Sequence, residues 1–184
     1  VAMTPGSPWW KVGYQGRENY SNTRQVWPLV RYGYVAPERF LCPGRREPHQ
    51  VNYDGFKIQN FNDFPSRIYI HFSAPIPCPS SDGRDLMRER VLMADRNPLA
   101  EDLPADLSEL CSLLLSDEQM RANSGNHRQR GQNVLLYDGS VEFTNRRHTS
   151  LSEDDIYSLQ GMCSGTEVHG CELPSCDTDI FLVP

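Results

Sequence analysis

Three residues of this chain have the types that hold a divalent cation: His127 offers an imidazole, and Asp138 and Asp95 offer carboxylates. A structural reading competes at each of them. Asp138 stands before Gly139 between two apolar runs, where turn chemistry accounts for it. Asp95 can cap the turn at Arg96-Asn97-Pro98, and His127 can hydrogen-bond backbone within its own loop. We take the structural reading and keep the three as the weaker, metal alternative. Cys171 and Cys176 with nearby His169 could also hold an ion, but no cysteine pair has the C-x-x-C spacing of redox or zinc sites. Nucleophilic catalysis needs a Ser or Cys with a base and an oxyanion site. No Gly-x-Ser-x-Gly elbow, His-Glu-x-x-His pair or Gly-x-x-x-x-Gly-Lys loop occurs. The chain is therefore read as not an enzyme.

The element that positions His127 and Asp138 is spelled out locally. Two short apolar runs flank Asp138-Gly139, which suits a hairpin with a two-residue type I′ turn. Val134 and Leu136 then share a face, as do Val141 and Phe143 on the return strand. Ahead of the hairpin come Asn126-His127 and a polar loop, Arg128 to Asn133, containing Gly131.

A histidine, a Gly-containing polar loop, an apolar strand and Asp138-Gly-Ser-Val-Glu-Phe143 together resemble the C-terminal signature of prepilin-like, pseudopilin-related envelope proteins. Phe40-Leu-Cys-Pro-Gly44 resembles that family's Phe-x-Cys-Pro-Ser/Gly element, and Leu92-Met-Ala-Asp-Arg-Asn-Pro98 the strand and turn that often precede the signature. The resemblance runs from about Thr23 to Phe143. Ten residues, Arg128 to Tyr137, separate the histidine from Asp-Gly, where the family usually has nine. Asn126, His127, Gly131, Asn133, Asp138, Gly139 and Phe143 are the signature positions, with structural roles. The resemblance implies a type IV pilin-like architecture: a short leader, a long apolar helix that anchors or polymerises, and an α+β head outside the cytoplasm, in the periplasm or beyond. No aliphatic run here exceeds three residues, as in Leu113-Leu114-Leu115, far short of the roughly 20 residues that span a bilayer. The expectation is the head alone, linked to a membrane only through a helix not in these residues. Its expected partners are other pilin-like subunits, further copies of itself and envelope proteins. No cofactor is expected, Ca²⁺ excepted, because some heads of the wider superfamily bind calcium. The oxygen-rich candidates are Glu101, Asp102 and Asp106, or Glu153, Asp154 and Asp155, although neither group has EF-hand spacing and acidic runs at helix starts usually serve the dipole.

Composition fits that expectation. The 184 residues suit one domain, and a domain of this size can bury roughly 70% of its unfolded surface, so a core needs no metal or disulfide to form. Eighteen basic against 24 acidic residues give a net charge of −6 with no long basic block, which argues against a nucleic-acid partner. Six cysteines, Cys42, Cys78, Cys111, Cys163, Cys171 and Cys176, would allow up to three disulfides in an exported head. A bridge within Cys163, Cys171 and Cys176 would staple the cysteine-rich tail, residues 161–184. Cys42 and Cys78 form the most plausible second pair, and Cys111 falls on a helical stripe where a buried free thiol is the commoner outcome.

Residues 1–20 read as an irregular aromatic segment. Trp9, Trp10 and Tyr14 could form a stacking surface for sugars or a neighbouring subunit; the alternative is that they close the bottom of the core. A helix is expected from Thr23 to about Tyr32, capped by Ser21 or Asn22, with Val26, Leu29 and Val30 on its apolar face. Strands are expected at Val51 to Ile58, Arg67 to Phe72 and Val91 to Ala94. A helix from Asp106 to Leu115, a capping box at Ser116 and Gln119, and a short helix from Ser152 to Gln160 complete the order. The fold class is α+β, with a mainly antiparallel sheet and few short helices. The leading function is a non-enzymatic exported structural subunit. The alternatives are a secreted glycan- or protein-binding module built on the N-terminal aromatics and, least favoured, a metal-dependent hydrolase using His127.

Overall fold

The computed structural model describes residues 9–13, 21–45, 57–76, 78, 91–101, 103, 112–149, 153–176 and 178–184. In chain order it forms α1 (Trp27–Arg31), β1 (Phe72–Pro75), β2 (Val91–Asp95), β3 (Leu113–Leu114), α2 (Asp117–Arg121), β4 (Gln132–Leu136), β5 (Val141–Thr144), β6 (Glu167–Val168) and β7 (Leu182–Val183), with short 3₁₀ turns between. The main sheet has the order β5-β4-β2-β1-β7, and every pairing in it is antiparallel. The α+β class with few short helices is therefore what the chain adopts. No helix among the described residues is long and apolar enough to cross a membrane.

Elements set by local chemistry form as the sequence predicts. The Ser116 hydroxyl accepts from Gln119 N while the Gln119 side chain reaches back to Ser116 N, so the capping box starts α2 as expected. The hairpin also forms, with Leu135 opposite Val141 and Asn133 opposite Phe143. Its turn differs from the expected one. Leu136 accepts from Gly139 N and donates to Ser140 O, and Gly139 alone of the loop residues has a positive φ, +84°. This is a three-residue loop, a type I turn closed by a left-handed glycine, instead of type I′. The two apolar pairs lie on opposite faces: Val134 and Leu136 are buried, whereas Val141 and Phe143 are exposed.

Elsewhere tertiary contacts override the pattern. The first helix is split into a 3₁₀ turn at Asn22–Gln25 and α1, and Trp27, not Leu29, joins Val30 in the core. Ser21 does not cap it; its hydroxyl goes to the buried Asp63 carboxylate, which Thr23 also contacts at 2.6 Å. The strand expected at 67–72 begins only at Phe72, because Ser66 accepts from Ile68 N and winds Arg67–Tyr69 into a 3₁₀ turn. Ile58 opens a 3₁₀ turn, Ile58–Asn60, while 51–56 lie outside the described residues. Of the helix expected at 106–115, residues 106–111 lie outside them too, and Leu113–Leu114 is strand, paired with β6. The segment 153–160 makes turns, not a helix.

The core has three parts. One gathers Trp9, Trp10, Leu99, Leu115, Phe181 and Val183; a second lies on the sheet around Val91, Val134, Leu136, Ile156 and Tyr157; a third packs Trp27 and Val30 with Phe40, Phe64 and Ile70. Trp9 and Trp10 are fully enclosed. They cannot stack on a ligand from there, so the aromatic-surface expectation is corrected in favour of core closure; Tyr14 lies outside the described residues.

Candidate functional site

β2 ends at Asp95, and the carboxylate points away from solvent with an exposure of 1%. A buried carboxylate needs several donors, and the signature loop supplies them. Oδ2 accepts from Asn133 N at 2.6 Å and Asn133 Nδ2 at 3.2 Å, Oδ1 accepts from Asn126 Nδ2 at 2.8 Å, and His127 Nε2 lies 3.1 Å from Oδ2. Asp95 is thus not the cap of the following turn. That role belongs to Asn97, whose Oδ1 accepts from Leu99 N at 2.8 Å. His127 likewise bonds these side chains instead of the loop backbone expected for it.

The third segment arrives through Cys42. The backbone of Phe40 accepts from His71 N at 2.8 Å, and Cys42 N donates to His71 Nδ1 at 3.0 Å, which fixes the Cys-Pro-Gly turn against the start of β1. Its thiol then faces the signature loop: Sγ lies 3.7 Å from His127 Nε2 and 4.0 Å from Asn126 O. Gly44 N donates to the same sulfur at 3.3 Å. Burial pushes the Cys42 thiol pKa up, partly opposed by the N–H groups of Gly44 and Arg45 and reinforced by the charge of Asp95.

Two glycines make the approach possible. A Cβ on Gly44 would stand 2.9 Å from His127 Nδ1, and one on Gly131 would stand 2.4 Å from Thr144 O and 2.8 Å from the Phe143 ring. Phe143 meets the His127 ring edge to face at 5.8 Å. Just after His127, Arg128 and Gln129 both take left-handed backbone, φ +60° and +59°. Two such non-glycine residues in succession are costly and persist only where their surroundings over-determine them.

The structure therefore brings together Asn126, His127, Gly131, Asn133, Phe143 and Asp95, and leaves Asp138 and Gly139 at the tip of the hairpin. There the Asp138 carboxylate accepts from Ser140 N at 2.8 Å and from its hydroxyl at 2.6 Å, bonds that lower its pKa. The triad of His127, Asp138 and Asp95 is corrected to His127, Asp95 and Cys42. Among the described residues these three are the group whose ligand atoms converge, all within 4.8 Å of one another. Spacing in the sequence does not reveal Cys42 as the neighbour of His127, nor His71 as the residue that holds Cys42 and Asn126 in place, although Cys42-Pro-Gly44 stands out as a motif.

Among the described residues the oxygen-rich candidates do not converge. Glu101 pairs with Arg45 at 2.7 Å, Asp155 with Arg147 at 2.9 Å, and Asp154 accepts from Ile180 N at 2.6 Å; Asp102 and Asp106 lie outside the described residues. Cys42, Cys163, Cys171 and Cys176 carry free thiols, so neither the Cys42–Cys78 bridge nor a bridge within the tail trio is formed; Cys111 lies outside the described residues. No family model, curated protein or solved structure matches the chain.

Proposed function

We propose that this chain is the head of a non-enzymatic, exported structural subunit of pseudopilin-like type, whose full form is anchored or assembled through an apolar N-terminal helix ahead of Val1. One observation supports this reading above others. The three segments that carry the resemblance, 40–44, 92–98 and 126–143, close on a single knot in which their polar side chains are used on one another. A head that packs beside its neighbours needs such internal rigidity more than an open cleft. A thiol-nucleophile reading of Cys42 fits less well, because a nucleophile–base–acid relay runs through both imidazole nitrogens. Here Cys42 and Asp95 approach the same one, Nε2. The partners are then further subunits of its own kind and envelope proteins, in the periplasm or outside the cell.

The test is to read the codons upstream of Val1 and to fractionate cells producing the whole protein. A short basic leader followed by about 20 apolar residues, with the protein in the membrane or filament fraction, is expected. A plain cleavable signal peptide and a freely secreted product would overturn the proposal in favour of a secreted binding module.

A further inference from the structure

We propose that Cys42, Asp95 and His127 form a binding site for one zinc-class divalent ion, a property separate from subunit packing and independent of it. Distances come first. Tetrahedral zinc with Zn–S of about 2.3 Å and Zn–N and Zn–O of about 2.0–2.2 Å places sulfur and nitrogen about 3.5 Å apart, and nitrogen and oxygen about 3.4 Å apart. The observed separations are 3.7 Å from Sγ to Nε2 and 3.1 Å from Nε2 to Oδ2. For these two pairs shifts of a few tenths of an ångström suffice, and the sulfur, which lies within 4.8 Å of the carboxylate oxygen, closes in to the separation of about 3.6 Å that tetrahedral zinc sets.

Direction points the same way. A thiol and a carboxylate that converge on one imidazole nitrogen surround a point, as ligands do, whereas a proton relay strings its members through opposite nitrogens. Asn133 Nδ2 lies 2.8 Å from Nε2 and 3.2 Å from Oδ2. A half-turn of that amide replaces a donor with Oδ1, an oxygen ligand for the fourth position.

Charge balances too. Cys42 releases its proton to solvent on coordination, and thiolate plus carboxylate then offset a 2+ ion, so the buried site is neutral. Outer partners are already in place: Gly44 N–H on the sulfur, and Asn126 Nδ2 and Asn133 N–H on the carboxylate. Sulfur and imidazole select zinc, or cobalt as its probe, over calcium and magnesium, which prefer all-oxygen sites. Once bound, the ion ties the Cys-Pro-Gly turn, the end of β2 and the signature loop into one unit.

The test uses the full chain, reduced and stripped of metal, titrated with Co²⁺ and then Zn²⁺. Expected are one ion per chain, a sulfur-to-cobalt charge-transfer absorption that Zn²⁺ abolishes, and a Tm that rises with Zn²⁺. Cys42→Ser should remove the absorption. His127→Gln should weaken binding by more than the roughly 10–100-fold that loss of an outer partner costs. A triple variant with Cys163, Cys171 and Cys176 changed to Ser should bind as the parent does. The His127→Gln result decides the matter if Cys42→Ser does not fold. Failure to bind Co²⁺, binding that survives both substitutions, or binding lost in the tail variant would each overturn the proposal, and none of these outcomes bears on the leader-and-helix test of subunit function.

Discussion

His71 orders the site without belonging to it. Its Nδ1 accepts from Cys42 N and its carbonyl accepts from Asn126 Nδ2 at 2.6 Å and Arg96 N at 3.0 Å, so one residue holds both sides of the knot. Accepting at Nδ1 requires a neutral ring with the proton on Nε2. Burial, with the positive charges of Arg45 and Arg96, keeps it neutral by lowering its pKa from 6.5 to about 4. The unfolded chain takes up this proton below about pH 6.5 and the folded chain only near pH 4, so stability is complete above pH 6.5 and is lost as pH falls through that window. A shift of this size corresponds to at most about 3 kcal/mol. Urea midpoints should fall between pH 7 and pH 4.5 in the parent and fall distinctly less in His71→Asn, which keeps an acceptor but does not titrate there. Parallel pH curves for the two proteins would show that the imidazole is not the titrating group.

At the scale of elements, the hairpin has two glycines with different duties. Gly139 supplies the left-handed turn and has open space where a Cβ would go. Gly139→Ala should therefore cost only the conformational strain, about 1–2 kcal/mol. Gly131 lies against Thr144 O and the Phe143 ring, and a Cβ there must displace backbone or push Phe143 off His127. Gly131→Ala should cost about 3 kcal/mol or more, at the severe end of single substitutions. Chemical denaturation of the two variants compares them, and equal losses would mean that the close approach at Gly131 is not what the loop depends on. The same contrast explains what the sequence could reveal. The Asp-Gly hairpin, the strand at 91–95 and the Ser116–Gln119 box are decided by neighbours within a few residues, so they were legible. Cys42 and His127 meet across 85 positions of sequence, and nothing in the spacing of either predicts the other. The strand expected at 67–72 failed for a related reason. Ile68 and Ile70 alternate as a strand would, but Ser66 caps a turn and the buried Arg67 guanidinium reaches the Leu103 carbonyl. Those bonds hold a conformation that the apolar pattern does not encode.

For the molecule as a whole, the decisive contact is between its two ends. Trp9 N donates to Gly170 O at 2.7 Å, and the Trp9 ring meets Phe181 and Trp10 edge to face at 5.6 and 5.0 Å. Phe181 in turn leads into β7, the edge of the main sheet beside β1, and Ile76 N donates to Phe181 O at 3.0 Å. The N-terminal tryptophans thus secure a terminal strand that, among the described residues, has one neighbour in the sheet. Removing a wholly enclosed indole leaves a large cavity, so Trp9→Ala should cost about 3–5 kcal/mol. It should also speed limited proteolysis on both sides of the contact, near residue 9 and in the tail from residue 161 onward, because the segments release together. Trp9→Phe is the informative companion. Among the described residues the buried Trp9 indole N–H has no hydrogen-bond partner, and relieving such a donor recovers about 1–3 kcal/mol, which offsets much of the lost ring volume. Stability near the parent for Trp9→Phe, with collapse for Trp9→Ala, is the expected pair of unfolding curves. If Trp9→Ala instead left the midpoint unchanged, the indole would have to spend its time outside the core, where it could serve as a stacking surface after all.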